Sequence, residues 1–138
     1  MAAKSTNYLD TFIMIAEDSP VNEGVLPKAT TPATIAAMEY AMITRSPYKY
    51  TSDDVLFEIY ARRNKVSKNY LYVERERFFA RGQACMRSSP LTKRFGWGIH
   101  SNNTGKIMVY SAGSDEYNKL RQDPAITQLT ALRSKRSA

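Results

Sequence analysis

Between Trp97 and Tyr110 the apolar residues of this chain stop recurring every three or four positions and begin to alternate. Trp97 and Ile99 alternate with Gly98 and His100, and Ile107 and Val109 alternate with Met108 and Tyr110. The turn between them, Asn102-Asn103-Thr104-Gly105, is rich in residues that tolerate left-handed backbone. This pattern predicts a β-hairpin over about 97–111. An isolated hairpin is barely stable in water, so the rest of the chain must supply further strands or a covering layer. Upstream, only Thr11-Phe12-Ile13-Met14-Ile15 is short, apolar and β-branched enough to read as a buried strand. The expected architecture is therefore α+β: a small antiparallel sheet with helices packed on one face.

The helices are read from caps and spacing. Thr31 and Pro32 fit an N-cap and first helical position, opening a helix to about Thr44 with Ile35, Met38, Met42 and Ile43 on one face. Thr51-Ser52-Asp53-Asp54 has the form of a capping motif for a second helix ending near Asn64. Its apolar face is Val55, Leu56, Ile59 and Tyr60. Ser67 caps a third helix from about Lys68 to Arg81, and Ser88-Ser89-Pro90 opens a short turn to about Arg94. Ser114-Asp115-Glu116 caps a last helix, which Asp123-Pro124 ends. The segment Ile126 to Leu132 fits helix and edge strand equally. The length, 138 residues, suits one domain over residues 1–138 that needs no metal or disulfide to fold.

Cys85 and His100 are the single cysteine and histidine. Together they cannot supply the four ligands of a structural zinc site, and neither a metal nor a cofactor is expected. A lone thiol suits a reducing, cytoplasmic setting. No apolar run is long enough for a membrane span, and Met1 to Asn7 lacks the apolar stretch of a signal peptide. The basic run from Arg133 to Ala138 reads as a solvated tail. Charge is distributed unevenly. Arg62 to Lys106 holds eleven Lys or Arg against two Asp or Glu, a local balance of +9 within a net charge of +7. That segment either concentrates anions or is neutralised by the acidic first third.

Two residues break the helical pattern. Arg75 falls on the stripe Leu71, Phe78, Gly82, and Glu39 falls between Ile35, Met42 and Ile43. The two are partners, or both face a shared polar pocket, or both reach solvent. The run from Arg81 to His100 holds the remaining candidates. Ser88 and Ser89 precede a proline and a helical turn whose amides suit an oxyanion. Arg87, Lys93 and Arg94 offer charge to neutralise it, and Trp97 offers a stacking surface. His100 is an acid–base candidate beside Gly98, and Cys85 is a candidate nucleophile.

The Arg81–His100 stretch resembles a family of short proteins of unknown function. Pro47-Tyr48-Lys49-Tyr50-Thr51, Asp53-Asp54-Val55-Leu56-Phe57 and Asp10-Thr11-Phe12-Ile13 resemble the same family, so the likeness spans nearly the whole chain. It implies no activity. The hairpin followed by Ser114-Asp115-Glu116-Tyr117 is also similar in layout to small basic domains of the MmcQ/YjbR type, some of them suspected DNA binders. Three functions are carried forward. The leading expectation is binding of an anionic partner, either nucleic acid or a phosphorylated or carboxylated ligand. Arg75, Arg87, Ser88, Ser89, Lys93, Arg94, Trp97 and His100 would be the binding residues, with the rings of Tyr70, Tyr72 and Phe95 nearby. The second is a small cofactor-independent enzyme acting on an acidic molecule through an Arg/His pocket. The third is a protein-interaction or structural module, its acidic and basic segments pairing between subunits.

Overall fold

A computed structural model describes residues 4–135, and the last three residues of the basic tail lie outside them. Strand β1 is Thr11–Met14. Helix α1 is Ile35–Arg45, α2 is Ser52–Arg63 and α3 is Leu71–Ala80, the last entered through a 3-10 turn at Lys68–Tyr70. A second 3-10 turn, Met86–Ser88, leads to the short helix α4, Pro90–Lys93. The hairpin strands follow as β2, Trp97–Ser101, and β3, Ile107–Ser111. Helix α5, Asp115–Arg121, and strand β4, Thr127–Thr130, complete the α+β fold.

The sheet order is β3-β2-β1-β4. The first three strands pair antiparallel, as the alternation predicts. The fourth corrects the expectation of a purely antiparallel sheet. Strand β4 pairs parallel to β1, with Ile13 opposite Leu129, so the sheet is mixed and the ambiguous 126–132 segment supplies its edge strand. The same topology explains why helices occupy both faces rather than one. The chain must pass from β3 at one edge to β4 at the other, and α5 crosses the reverse face of the sheet to do so. There Phe12 meets Tyr117 edge-on, with ring centroids 4.9 Å apart. The obverse face carries the main core, where Ile13, Ile99 and Val109 lie in one cross-strand row against Ile43, Val55, Ile59 and Leu91.

Two helix faces differ from the periodicity. Helix α1 is capped at Thr34, whose hydroxyl accepts from the amide of Ala37, one turn later than Thr31. Its buried stripe is Ala36, Glu39 and Ile43, while Ile35 is 40% exposed. Apolar residues surround this helix, so spacing alone leaves its phase undetermined. Helix α2 carries the expected capping box: the Thr51 hydroxyl accepts from the Asp54 amide, and the Asp54 carboxylate accepts from the Thr51 amide. Helix α3 packs on α2 through Phe57, Ala61, Phe78 and Phe79, a small apolar cluster separate from the main core. Leu56 touches both clusters, so the seam between them runs along one side of α2.

Candidate functional site

A cavity of about 340 Å³ lies in that seam. Helix α1 contributes Ile35 and Glu39, α2 contributes Leu56, Ile59, Tyr60 and Arg63, and α3 contributes Phe78, with Asn64 just past the end of α2. The walls are apolar or aromatic, and the exposed Arg63 and Asn64 form the rim. Glu39 is 1% exposed, yet no cation pairs with it among the described residues. One carboxyl oxygen, Oε1, accepts a 2.6 Å hydrogen bond from the Ser89 hydroxyl. The other, Oε2, makes no hydrogen bond among the described residues but is not sealed off, since the buried side-chain atom left without a partner among them is Gln128 Oε1. Burial without a compensating charge pushes the carboxyl up to about 7, and the Ser89 bond only partly opposes this. A polar group so placed costs stability, and such costs concentrate at working sites.

Ser89 holds the carboxyl because its own position is fixed locally. It is the N-cap of α4: its hydroxyl oxygen accepts from the Leu91 amide while its proton goes to Glu39. Ser89, expected to help hold a bound oxyanion before Pro90, has its hydroxyl engaged by the Leu91 amide and by the carboxyl of Glu39.

Glu39 and Arg75 are not partners. Arg75 donates at 2.9 Å to Asp54 on α2 and spreads its guanidinium over Phe57 and Phe79. It leaves its apolar stripe by snorkelling, and it lines a different, more open groove with Lys49 and Arg62. Among the described residues Glu39 and Arg75 line different cavities, Glu39 with Arg63 as its cation and Arg75 in the open groove.

The other sequence-derived candidates do not gather into one site. Arg87 donates through Nε to the Thr130 carbonyl at 2.8 Å and ties the 3-10 turn to β4. Ser88 belongs to that turn. Lys93 and the exposed Arg94 lie at the end of α4 and form no ion pair among the described residues. Trp97 donates to the Val25 carbonyl, packs on Tyr40, and has Gly24 so close that a Cβ there would fall 2.7 Å from its ring. These contacts commit part of the ring to the fold, and Trp97 stays half-buried. Cys85 is half-buried, with its sulfur 3.1 Å from the Tyr8 hydroxyl. His100 lies on the reverse face of the sheet. There the Tyr48 hydroxyl is 2.8 Å from its Nδ1 and 2.7 Å from the Tyr110 hydroxyl. Burial lowers the pKa of His100, with Asp10 and Asp123 opposing, and burial beside Tyr110 raises that of Tyr48.

Sequence reasoning missed Arg63, Tyr60, Asn64 and Phe78 as one lining. The signal available was Glu39 within an apolar stripe, and its pocket partners come from helices whose relative placement no local pattern encodes. Among the described residues, no group of three or more His, Cys, Asp or Glu is arranged to hold a metal, and no helix is long and apolar enough to cross a membrane.

The fold and site define a small α+β protein with a carboxyl-floored pocket between three helices. A model of a family of unknown function (DUF6157) matches residues 3–137, and the chain belongs to that family. No significant match to a curated protein or to a solved structure was found.

Proposed function

We propose that this protein binds a small acidic molecule, whose apolar body fills the Glu39 cavity and whose carboxylate or phosphate meets Arg63. The observation that carries the reading is the composition of the cavity: apolar walls of ligand-binding size with one guanidinium at the mouth that has no carboxylate partner among the described residues. An arginine so placed offers paired donors to a planar acid. Lys65 and Lys68 follow within a few residues, so the local field favours an anion. The free thiol of Cys85 fits a reducing, cytoplasmic environment for this binding.

The test uses a matched pair of probes, phenylacetate and phenylacetamide, which share a ring and differ in charge. Phenylacetate binds more tightly by NMR titration, Arg63→Gln removes the difference, and added salt weakens only the acid. Equal affinity for the amide sinks the reading.

A second reading keeps one specific support. Of the eleven cations from Arg62 to Lys106, only Arg62, Arg75 and Arg77 form ion pairs among the described residues. Tyr70 and Tyr72 stand exposed near them. Such a surface suits a nucleic-acid backbone with stacked bases. Gel-shift binding of single-stranded oligonucleotides that falls steeply with salt supports it, and no shift at low salt removes it.

A further inference from the structure

The cavity has two chemically distinct ends, and the deep end selects for something the rim does not. We infer that the unpartnered oxygen of Glu39 recognises a hydrogen-bond donor on the far end of the ligand, so that the pocket takes a molecule with an acid at one end, an apolar or aromatic middle, and a hydroxyl or amine at the other. This rests on the binding reading above and extends it to the ligand's other terminus.

Three features of the geometry carry the inference. Glu39 lines the cavity at 1% exposure, and its carboxyl is clamped through one oxygen only, the Ser89 hydroxyl at 2.6 Å. The bond engages Oε1 and leaves Oε2 without a protein donor among the described residues. That oxygen opens on the cavity rather than being sealed in the core, so a ligand donor can bond to it in place of water. Second, Arg63 belongs to the exposed rim and forms no ion pair with Glu39, so the carboxyl is not committed to the cation that would meet the ligand's acid. Third, Tyr60 and Phe78 pack with centroids 4.6 Å apart and ring planes tilted by 41°, and both line the cavity, giving it an aromatic wall. The titratable and charged groups lining the cavity are Glu39 from α1, Tyr60 and Arg63 from α2, and none from α3.

The selectivity follows from the arithmetic of unmet bonds. A hydrogen bond to a charged group stabilises by roughly 1.5–3 kcal/mol, so a donor should improve affinity by about tenfold or more over an isosteric methyl group.

The experiment compares 4-hydroxyphenylacetate and 4-aminophenylacetate with 4-methylphenylacetate and unsubstituted phenylacetate, in series with acid arms of graded length, on the full chain. Affinities are read by NMR titration or calorimetry at a pH where Glu39 is ionised. The donor-bearing probes are expected to bind at least about tenfold more tightly than the methyl probe. Glu39→Met, of similar volume and without an acceptor, should invert the order. Glu39→Gln retains an acceptor for Ser89 and should narrow the gap, which keeps the comparison available if the Met variant is unstable. Arg63→Gln should weaken all members alike and leave the order intact. If the methyl probe binds as well as the hydroxyl probe, the inference falls while the binding reading stands. If no member binds and Arg63→Gln changes nothing, both fall.

Discussion

The Ser89 hydroxyl and the Glu39 carboxyl join, through one 2.6 Å hydrogen bond, two parts of the chain fifty residues apart. Glu39 lies mid-helix on α1, and Ser89 caps α4. The bond is buried, and it satisfies only one of the two carboxyl oxygens. Most of the chemistry proposed for this protein depends on that asymmetry.

Glu39 makes stability depend on pH in the direction opposite to most carboxylates. Its folded pKa is about 7 against 4.5 for an ordinary glutamate, so the native state holds the proton more tightly than the unfolded chain. Stability therefore falls as pH rises from the ordinary glutamate value to about 7, by about 3 kcal/mol for a fully buried group. Glu39→Gln removes this loss. Urea unfolding at acid, neutral and alkaline pH should show a flatter profile for the variant, and parallel profiles would contradict the burial of an uncompensated carboxyl.

Gly98 is where the reverse face of the sheet closes. A Cβ at this position would lie 2.6 Å from Phe12 Cζ and 2.6 Å from Tyr117 Cε2. Both rings belong to the edge-on pair that seats α5, and the Tyr117 hydroxyl also accepts from the Ile15 amide at 3.0 Å. Gly98→Ala should cost about 1–3 kcal/mol through overpacking. A thermal melt unchanged from the parent would show that α5 moves away freely.

His100 reports on the Tyr48–Tyr110 cluster. Burial lowers its pKa from the ordinary 6.5, so the folded state disfavours the imidazolium. The unfolded chain takes up this proton first, and stability falls as pH drops below 6.5. The neutral ring can accept from Tyr48 through Nδ1, which further favours the uncharged form. As the chain has a single histidine, an NMR titration reads it without assignment. The midpoint should lie below 6.5 and rise in Tyr48→Phe. A midpoint above 6.5 in the parent would show that Asp10 and Asp123 outweigh burial.

Arg75 and Asp54 form an ion pair of unequal partners. Both are only partly buried and reach solvent, so the pair itself contributes about 1 kcal/mol or less, and Arg75→Gln should be nearly silent in high salt. Asp54 also accepts from the Thr51 amide in the capping box and lies in the first turn of α2. Asp54→Ala should therefore cost more than Arg75→Gln, by about 1 kcal/mol. Equal losses would mean that the cap is not formed in solution.

The elements that local sequence could specify are those whose cause is local. The hairpin follows from alternation around Asn102 to Gly105, and α2 follows from Thr51 and Asp54, because turn conformation and capping involve residues a few positions apart. The unusual status of Glu39 was also visible, as a carboxylate within an apolar stripe. Tertiary structure alone decided the rest. Strand β4 has no alternation strong enough to identify it and becomes a strand because β1 offers it an open edge. The passage from β3 to β4 then sends α5 across the reverse face. The partner of Glu39 proved to be Ser89 and its neighbouring cation Arg63, not Arg75, because the seam between two apolar clusters depends on how three helices pack. Local sequence encodes torsions and short-range bonds; contacts between distant segments arise from the burial of their apolar faces together, which is a property of the whole chain.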